Sequence, residues 1–239
     1  MRKTLLVTAS PFVLAGLLAA GPVLAADQSL HTSPSASTKA ERTTDKKMEA
    51  QNLVNKATDV ANEMKKDPNL VEMMQKATGI FIVPKYAKGG LIIGAQGGEG
   101  VMLAHQDGAW ADPVFYDIGG LSFGAQAGAA AGSITMLLMS DKAVDEFRQK
   151  NKFALNAEAG VSIVKYSAAG QATPGDADVV FWSDTDGAYV GADLSLTDIR
   201  RDDSQNQVYY GEPVTEAKVL GNDLANPGTK KLRNALPEG

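Results

Sequence analysis

Between residues 44 and 67 the apolar positions Ala50, Val54, Ala57, Ala61 and Met64 recur at spacings of four, three, four and three. That rhythm puts them on one face of a helix and predicts an amphipathic α-helix over Thr44–Asp67. Lys46, Lys47, Lys56, Lys65 and Lys66 alternate with Asp45, Glu49, Asp59 and Glu63 on the rest of its surface. This is the pattern of a helix packed on a sheet, or of one lying on a membrane surface, and the absence of Trp and Phe weakens the second reading. Asp67-Pro68 predicts a second, short helix that starts with an Asp cap and Pro at its first position, buries Leu70, Val71 and Met74, and stops at Gly79.

From Ile80 the period changes. Short apolar runs follow one another, broken by glycines at close, uneven intervals: Ile80–Pro84, Leu91–Ala95, Val101–His105 and Pro113–Tyr116. Gly89-Gly90 and Asp107-Gly108 read as turns, and Gly97, Gly98 and Gly100 as a bend. Leu121–Ala131 alternates Leu121, Phe123, Ala125 and Ala127 against Ser122, Gly124, Gln126 and Gly128, a strand pattern. The four-residue spacing of Gly124, Gly128 and Gly132 also fits a tight helix pair. Ser140–Lys150 reads as an inserted helix, capped by Ser140 and burying Ala143, Val144 and Phe147. Two further strand pairs are predicted, within Ala154–Tyr166 and from Val179–Trp182 with Ala188–Leu196, the latter joined by an Asp186-Gly187 turn; Gly170–Gly175 reads as a loop. The resulting fold class is α+β: an antiparallel, glycine-rich, curved sheet or partial barrel with N-terminal helices and one inserted helix.

Composition refines this picture at both ends. Arg2 and Lys3, the apolar stretch Leu5–Leu18 and the small residues Val23-Leu24-Ala25 form the three regions of a cleaved signal peptide over residues 1–25. A periplasmic or secreted location is therefore expected. With no cysteine in the chain, a lipoprotein anchor, disulfides and thiolate metal sites are ruled out. Residues 26–43, rich in Ser and Thr, read as a flexible leader. Residues 44–211 read as the folded domain (a helical arm over 44–78, then mainly strands over 79–211), and residues 212–239, with Pro213, Pro227 and Pro237, as a weakly ordered tail. The formal charge is −5, and without Arg2 and Lys3 it becomes about −7. An acidic body argues against nucleic acid as a partner, and any contact with acidic lipid requires a local basic patch.

No catalytic, metal or cofactor site emerges from the pattern. His31 and His105 are the two histidines, too far apart for a zinc signature, and His105 sits where a strand enters a turn. The Gly94–Gly100 run lacks the spacing and following helix of a nucleotide loop. Asp184-Thr-Asp186-Gly187 begins like a calcium loop but continues in strand alternation, so a hairpin turn is the simpler reading. Asp112, Asp117, Asp193, Asp198, Asp202 and Asp203 supply carboxylates, and nothing in their spacing selects an acid/base pair. Three small basic clusters remain as anion-site candidates or as plain surface charge: Lys85 with Lys88, Arg148 with Lys150 and Lys152, and Arg200 with Arg201.

Four segments in order carry a family resemblance. They are Gly79-Ile-Phe-Ile-Val-Pro84 with the glycine run to Leu103; Gly108-Ala-Trp110-Ala-Asp-Pro113 with Phe115 and Gly119–Gly128; Phe153-Ala-Leu-Asn-Ala-Glu-Ala-Gly160; and Gly187-Ala-Tyr-Val-Gly191-Ala-Asp-Leu194 with Asn206 and Tyr209-Tyr210-Gly211. Over Ala57–Gly211 the chain resembles the SYLF domain, also called the Ysc84-type actin-binding domain. The resemblance implies a non-enzymatic module, without cofactor, that binds phosphoinositide-like acidic phospholipid headgroups at a membrane surface. The chain departs from the family pattern at His105, Ala111 and Asp186, where the family often has a basic residue, a serine and a basic residue. The basic residues that remain nearby in sequence, Lys85, Lys88, Arg200 and Arg201, are the expected headgroup contacts. The family's link to actin is not carried over to an exported chain. An envelope structural or protein-interaction module, with a protein partner or self-association, is the alternative expectation.

Overall fold

The computed structural model describes residues 36–90, 93–123, 128–155, 160–166, 177–184, 198–215, 218 and 224–238. The predicted signal peptide, residues 26–35 of the predicted leader, the predicted Gly170–Gly175 loop and the predicted Asp186-Gly187 turn with strand 188–196 lie outside these residues. Helix α1 (Ala36–Met64) and helix α2 (Pro68–Lys76) come first. They are followed by strands β1 (Gly79–Gly90), β2 (Ile93–Gln106), β3 (Ala109–Trp110), β4 (Val114–Phe123) and β5 (Gly128–Leu138). After helix α3 (Asp141–Gln149) come β6 (Lys152–Phe153), β7 (Ile163–Lys165), β8 (Val179–Ser183) and β9 (Asp198–Arg201). Helix α4 (Asp203–Tyr210), a 3-10 turn (Pro227–Thr229) and helix α5 (Lys230–Ala235) complete the described chain.

The described strands form one sheet in the order β6-β9-β4-β2-β1-β5-β8-β7, with β3 beside β2. All pairs are antiparallel except β7–β8, which is parallel. The apolar runs are continuous because the sheet is covered on both faces. Phe81, Val83, Met102, Ala104, Val114, Tyr116, Ile134, Met136 and Phe181 pack inside the curl with α3 residues Ala143, Val144 and Phe147. Their strand neighbours Ile80, Ile82, Val101, Leu103, Phe115, Leu137 and Val180 pack on the opposite face against α1, α2, α4 and α5.

The helical arm follows its predicted stripe: Ala50, Val54, Ala57, Ala61 and Met64 are all fully buried. Asp67 accepts a hydrogen bond from the Asn69 N–H at 2.9 Å and caps α2, with Pro68 in the first turn. The start of α1 is a correction to the leader. The helix begins at Ala36 rather than Thr44, and its residues 40–49 are exposed. Ala, Lys, Glu and Arg there are good helix formers without an apolar face, so periodicity alone missed them.

The glycines also act differently from the sequence expectation. β1 and β2 run unbroken through Gly89, Gly97, Gly98 and Gly100. The register of β1 slips between Ile82 and Lys85 against β2, and between Val83 and Tyr86 against β5. This bulge falls at Pro84, which has no N–H to give. It drives the β1 backbone against β2. A Cβ on Gly98 would collide with the Lys85 carbonyl oxygen and lie 2.7 Å from Val83 Cγ1; one on Gly100 would lie 2.7 Å from Phe81. Gly98→Ala is therefore expected to cost about 2 kcal/mol, read as a fall in thermal midpoint, whereas Gly119→Ala, whose Cβ meets nothing nearer than 3.8 Å, leaves stability almost unchanged. At the Asp107-Gly108 turn both residues have positive φ, 52° and 77°, as the predicted hairpin requires.

Three further readings are revised. The single strand expected over Leu121–Ala131 is replaced at its described ends by two strands, β4 up to Phe123 and β5 from Gly128, which flank the β1–β2 pair. Within Ala154–Tyr166 the short β7 joins β8 in parallel. The described end of the tail is packed: Leu232, Ala235 and Leu236 are buried, and the Trp110 Nε1–H donates to the Pro237 carbonyl at 2.8 Å. Prolines marked this segment as loose, but its few leucines meet a preformed apolar face.

Candidate functional site

Two groups of polar residues stand out, and they do different work. The first is the Trp110-Ala111-Asp112-Pro113 segment. Asp112 is buried. Its carboxylate accepts from the Asn226 N–H and the Thr229 hydroxyl, both at 2.7 Å, and lies 3.4 Å from the Arg233 guanidinium. The Tyr210 hydroxyl donates to the Pro113 carbonyl at 2.7 Å, and burial pushes its ionisation well above the usual tyrosine range. The Asn226 side chain ties this cluster to the Tyr209 carbonyl at 2.9 Å. Nearby, Asn206 is buried and bonds both the N–H and the carbonyl of Phe115, each at 3.0 Å. This group fastens α4 and the C-terminal segment to the sheet. His105 stacks on Trp110 with ring centroids 4.4 Å apart and contacts the Ala77 carbonyl through Nδ1, so it belongs to the same structural seam.

The second group is a row of charges across five strands. Lys85 on β1 is in register with Glu99 on β2, Glu99 with Asp117 on β4, Asp117 with Arg200 on β9, and Arg200 with Lys152 on β6. Residues in register share a face, so all five side chains lie on the face of the sheet that carries Val101, Leu103 and Phe115 and packs against α1 and α2. Beside them is an open groove of about 450 Å³ lined by Gly98, Glu99, Asp117, Ile118, Gly119, Lys152, Asp198 and Arg200. Arg200 Nη2 donates to Asp117 at 3.2 Å and Lys152 Nζ pairs with Asp198 at 2.7 Å, with both basic side chains more than 60% exposed. Most of their N–H donors thus remain available to a ligand.

The four residues predicted as headgroup contacts do not converge. Lys85 and Arg200 lie in the row. Arg201 points elsewhere: its side chain is only 11% exposed and its Nε donates to Asp203 at 2.6 Å. Lys88 pairs in β1 beyond the bulge, and its side chain lies outside the described residues. The fold instead recruits Lys152, assigned in sequence to a separate basic cluster, because β6 pairs with β9. It also adds Glu99 and Asp117, whose neighbourhood no sequence spacing reveals.

Glu99 is the electrostatic anomaly of the row. Glu99 is exposed at the sheet surface, yet partial desolvation of its carboxylate, followed by the carboxylates of Asp117, Asp202 and Glu49, raises its pKa against a smaller opposing pull from Lys56. The ionised form is disfavoured by the fold. The penalty therefore applies above the raised folded value and is relieved as pH falls through that value toward the ordinary glutamate range. Glu99→Gln is expected to raise the thermal midpoint near pH 7 and to make no difference below about pH 4, as paired melts at the two pH values would show.

Among the described residues, no group of three or more His, Cys, Asp and Glu residues is placed to hold a metal ion, and no helix is long and apolar enough to cross a membrane. The sequence pattern of the family described as Ysc84, Las17-binding protein actin regulator, matches residues 119–238. That span includes α4 and the packed C-terminal segment. Over 144 residues the chain is 24% identical to SH3 domain-containing YSC84-like protein 1 of Bos taurus, covering 59% of this chain and 42% of the relative. It is 25% identical to Protein YSC84 of Saccharomyces cerevisiae, covering 59% and 31%, and 26% identical to SH3 domain-containing protein PJ696.02 of Schizosaccharomyces pombe, covering 61% and 35%. The chain thus spans less than half the length of these curated relatives. No solved structure matches it.

Proposed function

The chain belongs to the Ysc84 family, and on that premise we propose that it is an exported, non-enzymatic binding module that docks on phospholipid headgroups at a membrane surface in the periplasm or outside the cell. The observation that supports this reading is the charged row with its groove. Lys152 and Arg200 present exposed N–H donors at the groove, whose lining also includes Glu99, Asp117, Gly98 and Gly119, and Lys85 stands at the far end of the row. Phosphate oxygens are acceptors for such donors, and arginine offers two of them in a fixed fork. The acidic body as a whole repels an anionic surface, so binding rests on this local patch and weakens with salt.

Flotation of the purified protein with phosphatidylcholine vesicles containing phosphatidylglycerol or phosphatidylethanolamine, at low and moderate salt, tests the reading. Binding to phospholipid that falls with salt is the expected result; absence of binding to every vesicle rejects it. A second reading is favoured by the family description, which names protein partners for its members. On that reading the same row docks a protein or a second copy, and binding to vesicles is absent while self-association persists at high salt.

A further inference from the structure

The groove carries more negative than positive charge, and that imbalance bears on its ligand. Its lining holds three carboxylates, Glu99, Asp117 and Asp198, against two cations, Lys152 and Arg200. Asp117 and Asp198 are each paired with one of those cations. Glu99 is left over. It stands in register with Asp117 on one side, where like charges destabilise a strand pair, and it forms no ion pair among the described residues. Lys85, in register on its other side, makes no ion pair with it either. Asp202 and Glu49 add further negative charge around it, against a smaller opposing pull from Lys56. A purely anionic ligand would increase this excess, whereas a ligand bearing its own cation beside the phosphate would cancel it.

Resting on the headgroup reading above, we propose that the groove selects headgroups carrying a primary ammonium next to the phosphate, with Glu99 and Asp117 accepting from the ammonium and Arg200 and Lys152 donating to the phosphate. The distances suit a short bridge. Glu99 and Arg200 lie two strands apart, about 10 Å between backbones, and both side chains reach into the intervening groove. A two-carbon ethanolamine link joins phosphate and ammonium across that gap. The primary ammonium has three N–H donors for the two carboxylates; a choline head has none, and a glycerol head has no positive charge.

Binding is measured to phosphatidylcholine vesicles alone, with added phosphatidylethanolamine, and with added phosphatidylglycerol, and to soluble glycerophosphoethanolamine and glycerophosphoglycerol. The ethanolamine lipid is expected to bind about fivefold tighter than the glycerol lipid, and Glu99→Gln to abolish that preference while binding to the glycerol lipid persists. Because Glu99→Gln relieves a folded-state penalty, loss of fold does not confound the result. A wild-type preference for the glycerol lipid, or an ethanolamine preference that survives Glu99→Gln, overturns this proposal and leaves headgroup binding intact. Binding of the soluble ethanolamine ester without vesicle binding upholds ammonium recognition and overturns the membrane as its source. Failure of every probe overturns both readings.

Discussion

Asp112→Ala is expected to destabilise the domain by about 3 kcal/mol, a fall of about 6 to 12 °C in thermal midpoint for a chain of this size. The reason is the number of groups that depend on one carboxylate. Asp112 is 4% exposed and is bonded to the Asn226 N–H, the Thr229 hydroxyl and the Arg233 guanidinium. Removing it strands the Asn226 N–H and leaves Arg233 without its counter-ion, while the Thr229 hydroxyl retains the Asn226 carbonyl. The larger effect comes through the segment held there. Leu232, Ala235 and Leu236 lie in the same apolar cluster as Trp110, Phe115 and Tyr209, so loosening the 3-10 turn exposes that cluster. Asp112→Asn, which keeps an acceptor oxygen, should lose less. Equal losses from Ala and Asn would show that the charge and not the hydrogen-bond frame holds the segment.

Neutralising the basic end of the row, Lys152→Gln with Arg200→Gln, is expected to weaken vesicle binding about tenfold or more at low salt. Each basic side chain near an anionic surface contributes roughly 1 kcal/mol. The fold should tolerate the change, because exposed ion pairs contribute little to stability. The matched control is Lys230→Gln with Lys231→Gln on α5, two exposed lysines outside the row, for which binding is expected to stay unchanged. Equal weakening by both pairs would mean that the protein responds to net charge alone and has no localised site.

The α+β class, the curved antiparallel sheet, the buried stripe of α1, the capped starts of α2 and α3 and the Asp107-Gly108 hairpin were legible because each rests on local chemistry: periodicity, a cap or an obligatory positive φ. The bulge at Pro84 was not, since a proline between two apolar runs reads as an end until the register is known. Helix α4 is hidden in the sequence although Asp202 caps it and Gly211 closes it with φ of 80°, because the tyrosines at its end look like strand residues. The charged row was out of reach of sequence. Lys85, Glu99, Asp117, Lys152 and Arg200 are spread over more than a hundred residues, and only strand order places them side by side. Sequence clustering joined Arg200 to Arg201, yet neighbours on a strand point to opposite faces, and the structure turns Arg201 toward Asp203.

Headgroup docking at the charged row is tested most directly by lysine labelling of the protein with an acylating reagent, read by mass spectrometry residue by residue, with and without phosphatidylethanolamine–phosphatidylglycerol vesicles. Lys85 and Lys152 are the reporters; Lys142, Lys230 and Lys231 are the references. Vesicles are expected to slow the labelling of Lys85 and Lys152 and leave the references unchanged. Protection confined to the references, or no protection at any lysine, would contradict that docking and return the charged row to ordinary surface.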